Sequence, residues 1–239
     1  MAERRIALVT GANKGIGYEI ARGLCVEGAS VFLGCRDEER GERAEQTLRS
    51  QGFDAEAVLL DVTNAATIEA TAFYIDALYG RLDILVNNAG VWLEGAAGPK
   101  VVDPEIVKRM FDVNVFGAIA VTEAMLPLLK KSPAGRIVST RLASLEEASR
   151  LEPVPNRPIP LGYGSSKTAL NAATLWFAKA LADTPIKVNA VSPGLCATDM
   201  TRGRGRPARE GAAAPLRLAL VGDDGPTGGF FDDEGEIPW

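Results

Sequence analysis

The chain has 239 residues, 46% hydrophobic and 24% charged, a balance that suits one globular domain with a sizeable core. Its formal net charge of -5 disfavours nucleic-acid or anionic-membrane partners, and three scattered cysteines, Cys25, Cys35 and Cys196, form neither a disulfide framework nor a zinc site. There is no histidine, which excludes Ser-His-Asp and Cys-His hydrolases, histidine-ligated metals and histidine acid–base catalysis.

Residues 6–10 read as a strand, followed by a glycine-rich turn and a helix over 15–27. The turn is Thr10-Gly11-Ala12-Asn13-Lys14-Gly15-Ile16-Gly17, a T-G-x-x-x-G-x-G spacing. In a first strand–turn–helix unit it points to a dinucleotide site: glycines let backbone approach a pyrophosphate, and a helix N-terminus favours the anion. A second strand over 29–35 ends at Cys35-Arg36-Asp37. An NAD-preferring site usually places a carboxylate there for the ribose 2′-hydroxyl. Here Cys35 falls at that place, and Arg36 with Lys14 can neutralise a 2′-phosphate. Arg40 reads as solvated, while Asp37 either pairs with Arg36 or serves as the acid in a shifted register.

A charged helix over 38–51 leads to a third strand over 55–61, ending at Asp61-Val62 where an adenine would lie. A helix over 65–79 and a fourth strand over 82–87 follow. The small residues of Asn88-Ala89-Gly90 let a ribose pack on backbone, and Asn87 reads as structural, bonding between strands. A long helical region over 103–131 carries Asn114, with Pro127 expected to end or kink it. Strand 136–140, helix 162–181 and strand 186–191 complete the pattern, and 228–231 suggests a seventh strand. The proline-bearing segment 146–160 and the segment 201–211 read as loops. Strands rich in Val, Ile and Leu between helices predict a Rossmann-type, doubly wound, mostly parallel seven-stranded α/β sheet with helices on both faces. It is expected to form a single domain over 1–239, with 1–135 mainly the dinucleotide-binding half and 136–239 the catalytic half. No apolar stretch reads as a bilayer span and the N-terminal run lacks a signal peptide, so a cytoplasmic protein is expected.

On the helix over 162–181, Tyr163 and Lys167 stand at i and i+4, on one face. An ammonium beside a phenol favours the phenolate, so the expectation is a Tyr163 pKa lowered from its ordinary value of about 10. Taken in order, the glycine-rich turn, Asp61, Asn87 to Gly90, Asn114, Tyr163-Gly-Ser-Ser-Lys167, and Pro193-Gly194 with Thr198-Asp199 resemble the short-chain dehydrogenase/reductase family, and its carbonyl-reductase branch in particular. The resemblance covers nearly the whole chain. It implies an NADP(H)-dependent reductase acting on a ketone or aldehyde, with Tyr163 as proton donor, Lys167 tuning it and holding the nicotinamide ribose, and Asn114 positioning a water and the Lys167 side chain. It implies also that Thr198 and the amide after Pro193-Gly194 hold the nicotinamide carboxamide. The alternative reading of that segment is a Pro-Gly turn with a helix N-cap at Thr198 or Asp199.

One departure concerns the serine that the family places on its fifth strand. Gly135-Arg136-Ile137-Val138-Ser139-Thr140 matches if two residues are missing after Val138, which puts Thr140 in the catalytic place, with Ser139 and Ser144 as rivals. Removing two residues keeps strand parity, though a shortened strand could distort the site. The expected partner is a small carbonyl compound, and the expected assembly a monomer or homodimer. The rival from another class is a catalytically impaired dinucleotide-binding, redox-sensing protein on the same scaffold. Retained Tyr163, Lys167 and Asn114 speak against it.

Overall fold

The computed structural model describes residues 4–94, 103–140, 144–150 and 161–239, with Thr140 through its backbone alone. Among these, β1 (Ile6–Thr10), β2 (Ser30–Cys35), β3 (Ala55–Leu59), β4 (Ile84–Asn87), β5 (Arg136–Thr140), β6 (Lys187–Val191) and β7 (Phe230–Phe231) form one sheet in the order β3-β2-β1-β4-β5-β6-β7. Every pairing is parallel. Parallel strands need helical crossovers, which cover both faces and make the strands apolar throughout; all five β1 residues are buried.

One face packs α1 (Gly15–Val26), α2 (Glu38–Arg49), α8 (Ala208–Gly211) and α9 (Ala213–Ala219) over a core that includes Val9, Leu24, Leu33 and Leu218. The other packs α3 (Ala65–Tyr79), α5 (Ala118–Leu129) and α7 (Leu161–Ala180) over Leu8, Phe32, Leu85, Val121 and Leu129. The strand order reverses direction between β1 and β4. A crevice opens there at the carboxyl ends of the strands, where doubly wound sheets bind ligands.

The helical region before β5 differs from a plain long helix. It is α4 (Pro104–Phe111), a π-helical segment (Asp112–Gly117) and then α5. Pro127 neither ends nor splits α5, because it sits in the last turn, two residues before the helix stops at Leu129. Contrary to the sequence reading, the run Pro104–Leu129 is 26 residues long and contains an 18-residue stretch with a mean hydropathy of 1.4, long and apolar enough to span a bilayer. Half of that apolar stretch is buried inside the protein, and Met110, Val121, Met125 and Leu128 lie in the core, which accounts for its composition. The first of the two expected loops also contains a helix, α6 (Leu145–Ser149), capped by Ser144; its residues 151–160 lie outside the described ones. The second loop ends in α8.

Candidate active site

At the crevice, the chain leaves β1 through Gly11 (φ +66°) and enters α1 through Gly15 (φ +60°), left-handed conformations that glycine adopts without strain. The amides of Gly11 and Ala12 anchor the turn by donating to the Gly34 carbonyl of β2. Lys14 stands at the N-cap of α1 with no side-chain bond to the helix, so nothing from the cap position covers the first-turn amides. A Cβ on Gly17 would lie 2.3 Å from Asn88 Nδ2 and 2.5 Å from the Gly11 carbonyl oxygen. The glycine is therefore what lets the end of β4 close on the turn. Asn88 Nδ2 donates to the carbonyls of Thr10 (2.9 Å) and Gly11 (3.2 Å), while Thr10 Oγ1 accepts from the amides of Asn88 and Ala89. The Asn88 side chain thus staples the turn rather than facing a ligand freely. Asn87 makes a structural contact: its Nδ2 donates to Thr122 Oγ1 on α5 (2.9 Å).

At the end of β2, the Cys35 side chain turns inward, where a Cβ on Gly41 would meet its Cβ at 3.1 Å, and burial pushes its thiol up to about 12. Arg36 is exposed, and no ion pair joins it among the described residues. Asp37 turns from Arg36 to Arg40: its carboxylate caps α2, accepting from the Arg40 amide and lying 3.3 Å from Arg40 Nε. Asp61 folds its carboxylate over the amide and hydroxyl of Thr63. Beside it a groove runs between Val62, Thr63 and Ile68 on one side and Arg109, Val113 and Phe116 on the other.

The π-helical segment places Asn114, fully buried, against the strap that follows β4. Asn114 Oδ1 accepts from the Val91 amide (2.8 Å), and its Nδ2 donates to the Val91 carbonyl (3.0 Å) and to Ser166 Oγ (2.9 Å). Ser166 Oγ in turn donates to the Tyr163 carbonyl (2.8 Å). Lys167 is buried, with Nζ 5.6 Å from the centre of the Tyr163 ring. Gly90 leaves the space in which these groups meet: a Cβ there would lie 3.1 Å from Lys167 Nζ and 3.3 Å from Asn114 Oδ1.

The direction of the Tyr163 shift is opposite to the sequence expectation. Tyr163 keeps a partly exposed edge yet lies deep among protein atoms, and burial pushes its phenol up to about 12. Desolvation penalises the phenolate more than the ammonium at this distance favours it. At neutral pH the hydroxyl is therefore a proton donor.

Two further contacts hold Tyr163, and neither was read from sequence. Trp92 packs on its ring with centroids 6.1 Å apart, and the Glu94 carboxylate accepts from the amides of Gly162 (2.7 Å) and Tyr163 (2.8 Å) at the start of α7. Glu94 lies 69 positions from Tyr163, so no local pattern could have paired them.

After β6, Pro193 and Gly194 form a turn braced by Arg206, whose Nη2 donates to the Pro193 carbonyl (2.7 Å) and whose guanidinium also pairs with Asp233. Thr198 begins a run of turns rather than a helix. Its Cγ2 would lie 3.3 Å from a Cβ on Gly15, so this segment closes against the glycine-rich turn. An ion pair between Asp199 and Lys14 ties the two together and holds the Asp199 carboxyl below its ordinary range. Lys14 thus already has a partner.

On β5, Ser139 is buried opposite Asn87 and Ala190, and Thr140 pairs with Val191. β5 runs one residue past its last pair with β4 and ends level with β6. The Thr140 side chain lies outside the described residues. Ser144 is engaged elsewhere: its Oγ accepts from the Glu147 amide and donates to the Trp239 carbonyl.

Residues 5–208 match the family model described as short chain dehydrogenase, and the chain belongs to that family. Salutaridine reductase of Papaver bracteatum is 34% identical over 97% of this chain and 95% of its own length. Carbonyl reductase [NADPH] 1 of Mus musculus is 32% identical over 100% and 99%. The solved structure of salutaridine reductase from Papaver somniferum superposes with a TM-score of 0.83 at 32% identity, covering 96% of this chain and 100% of that one.

Proposed function

We propose that this chain is an NADPH-dependent carbonyl reductase that converts a ketone or aldehyde to an alcohol, with Tyr163 as the proton donor. The observation that carries the reading is the convergence of Tyr163, Lys167 and Asn114 around Gly90, next to the glycine-rich turn. Carbonyl reductase [NADPH] 1 among the relatives, and an NADP-bound short-chain oxidoreductase among the similar structures (TM-score 0.77, 28% identity), support it.

The residues present fit a nicotinamide dinucleotide. Gly17 leaves a cradle that a Cβ would fill, Gly11 and Gly15 turn the backbone tightly, and the first turn of α1 points amides at the crevice. Gly11, Asn13, Lys14, Gly15, Ile16 and Gly17 would line the phosphates, with Asp61 and Val62 beside the adenine and Ala89 and Gly90 beside a ribose. Pro193, Gly194 and Thr198 would hold the carboxamide. When bound, the cofactor supplies the hydride.

The chain's own part is the proton and the orientation. A neutral Tyr163 donates its hydroxyl proton to the carbonyl oxygen, and the Lys167 ammonium stabilises the phenolate left behind. Thr140 is assigned the second hydrogen bond to that oxygen. With both its oxygen and nitrogen engaged by Val91 and Ser166, Asn114 serves by keeping the strap and α7 in register.

The test is loss of NADPH absorbance with a panel of ketones, quinones and aldehydes, beside NADH. Turnover that prefers NADPH is expected; tight NADPH binding with no turnover on any member would favour the non-catalytic reading. Arg36 selects the cofactor. Charge-assisted hydrogen bonds contribute about 1.5–3 kcal/mol, so Arg36→Ala is expected to lower the NADPH-over-NADH preference in kcat/KM by about tenfold or more. Asp199 acts in the other sense. Asp199→Asn releases Lys14 and removes a negative charge, and is expected in a fluorescence titration to tighten NADPH binding by more than it tightens NADH binding.

A further inference from the structure

We infer that Glu94 is a positioning residue for the proton donor: its carboxylate seats the first turn of α7 and so sets the place and the acidity of the Tyr163 hydroxyl. The inference rests on the reading of Tyr163 as the donor and concerns what aims it. The first amides of a helix have no partner within it. At α7 those of Gly162 and Tyr163 are answered by one carboxylate, with Oε1 accepting the first at 2.7 Å and Oε2 the second at 2.8 Å. One of those amides is the donor residue's own backbone, so a shift of Glu94 is a shift of Tyr163. Little slack is available nearby: a Cβ on Gly162 would meet Met110 Cε at 2.6 Å and Glu94 Oε1 at 3.3 Å.

Glu94 belongs to a short strap stitched to the site along its length. The Val91 amide donates to Asn114 Oδ1 and its carbonyl accepts from Asn114 Nδ2, Trp92 lies on the Tyr163 ring, and Glu94 holds the helix that carries Tyr163 and Lys167. The strap begins where β4 meets the glycine-rich turn, so it fixes the distance from the cofactor crevice to the donor. Its charge also matters. The positive end of a helix favours a phenolate placed in its first turn, and a carboxylate there opposes that pull. Burial raises the Tyr163 phenol, and Glu94 is inferred to act in the same sense while holding the residue in place.

The variants are E94A and E94Q. E94A removes both acceptors and the charge, and E94Q is close in shape and keeps one acceptor, so it remains informative if E94A does not fold. Losses on the scale of a helix cap predict a fall in kcat of about tenfold for E94A and about threefold for E94Q, with NADPH binding nearly unchanged. The second readout needs no turnover. The chain has four tyrosines, and ultraviolet titration of the cofactor-free protein, read as the difference from the same background carrying Tyr163→Phe, isolates Tyr163. Its midpoint is expected to move down from about 12 in both variants. Wild-type kcat and midpoint in E94Q would overturn the inference and leave the reductase reading standing. A fall in kcat with an unmoved midpoint would overturn it as well, since the loss would then lie away from the phenol. If the wild type turns over no carbonyl compound, the reductase reading falls, and the midpoint alone decides whether Glu94 governs Tyr163.

Discussion

Tyr163→Phe is expected to bind NADPH as the wild type does and to lose carbonyl reduction by about 100-fold or more, on the scale of a removed general acid. The substitution takes away one oxygen and keeps the ring, so the contact with Trp92 (centroids 6.1 Å apart) and the Glu94 bond to the residue's backbone persist. Stopped-flow or steady-state loss of NADPH absorbance, beside a binding titration, checks both halves. A variant that turned over at the wild-type rate would remove Tyr163 from the chemistry. The pH profile carries the same logic. Reduction needs the protonated phenol, and burial holds its pKa at about 12 in the cofactor-free protein, above the ordinary value of about 10. The rate is therefore expected to be level through neutral pH and to fall only on the alkaline side. The sign for stability agrees. Between about 10 and 12 the unfolded chain releases the Tyr163 proton while the folded chain retains it, so stability drops as pH rises through that window.

Gly17→Ala is expected to damage fold and cofactor site together. The added methyl would stand 2.5 Å from the Gly11 carbonyl oxygen and 2.3 Å from Asn88 Nδ2. The amide can swing away, but only by releasing Thr10 and Gly11; the carbonyl belongs to the turn itself. Overpacking of this kind costs about 1–3 kcal/mol, and at about 2–4 °C per kcal/mol for a chain of this size the melting temperature should fall by several degrees. NADPH affinity should fall further than the global stability loss explains, because the strained atoms are those that line the crevice. Melting curves with and without NADPH separate the two effects. A variant that gained the full wild-type shift on adding NADPH would show that the turn does not need this close approach.

The sheet was legible because its information is local. Runs of Val, Ile and Leu mark buried parallel strands, and α3 was bounded correctly because Asn64 caps its start and Gly80 takes the left-handed turn at its end. The glycine-rich turn and the Tyr163–Lys167 pair were readable for the same reason. What escaped depends on long-range contact. The π-helical segment carries no periodic signal, and Asn114 is held there by Val91, 23 positions away. Lys14 meets Asp199 across 185 positions and Glu94 meets Tyr163 across 69, distances at which spacing says nothing. The direction of the Tyr163 shift was missed because sequence supplies the neighbouring charge and not the density of protein around it.

The staple from Asn88 to Thr10 spans 78 positions and has a kinetic consequence. β1 is made first during synthesis, but the strand it needs on its inner side, β4, arrives only after β2, β3 and the intervening helices. Closing so long a loop costs entropy before any contact repays it, which slows formation of non-local parallel sheets. The glycine-rich turn thus acquires its final shape only after the first three strands and β4 are assembled. A dinucleotide that selects that shape would act late in folding, as a clasp on a nearly finished sheet rather than as a nucleus for it.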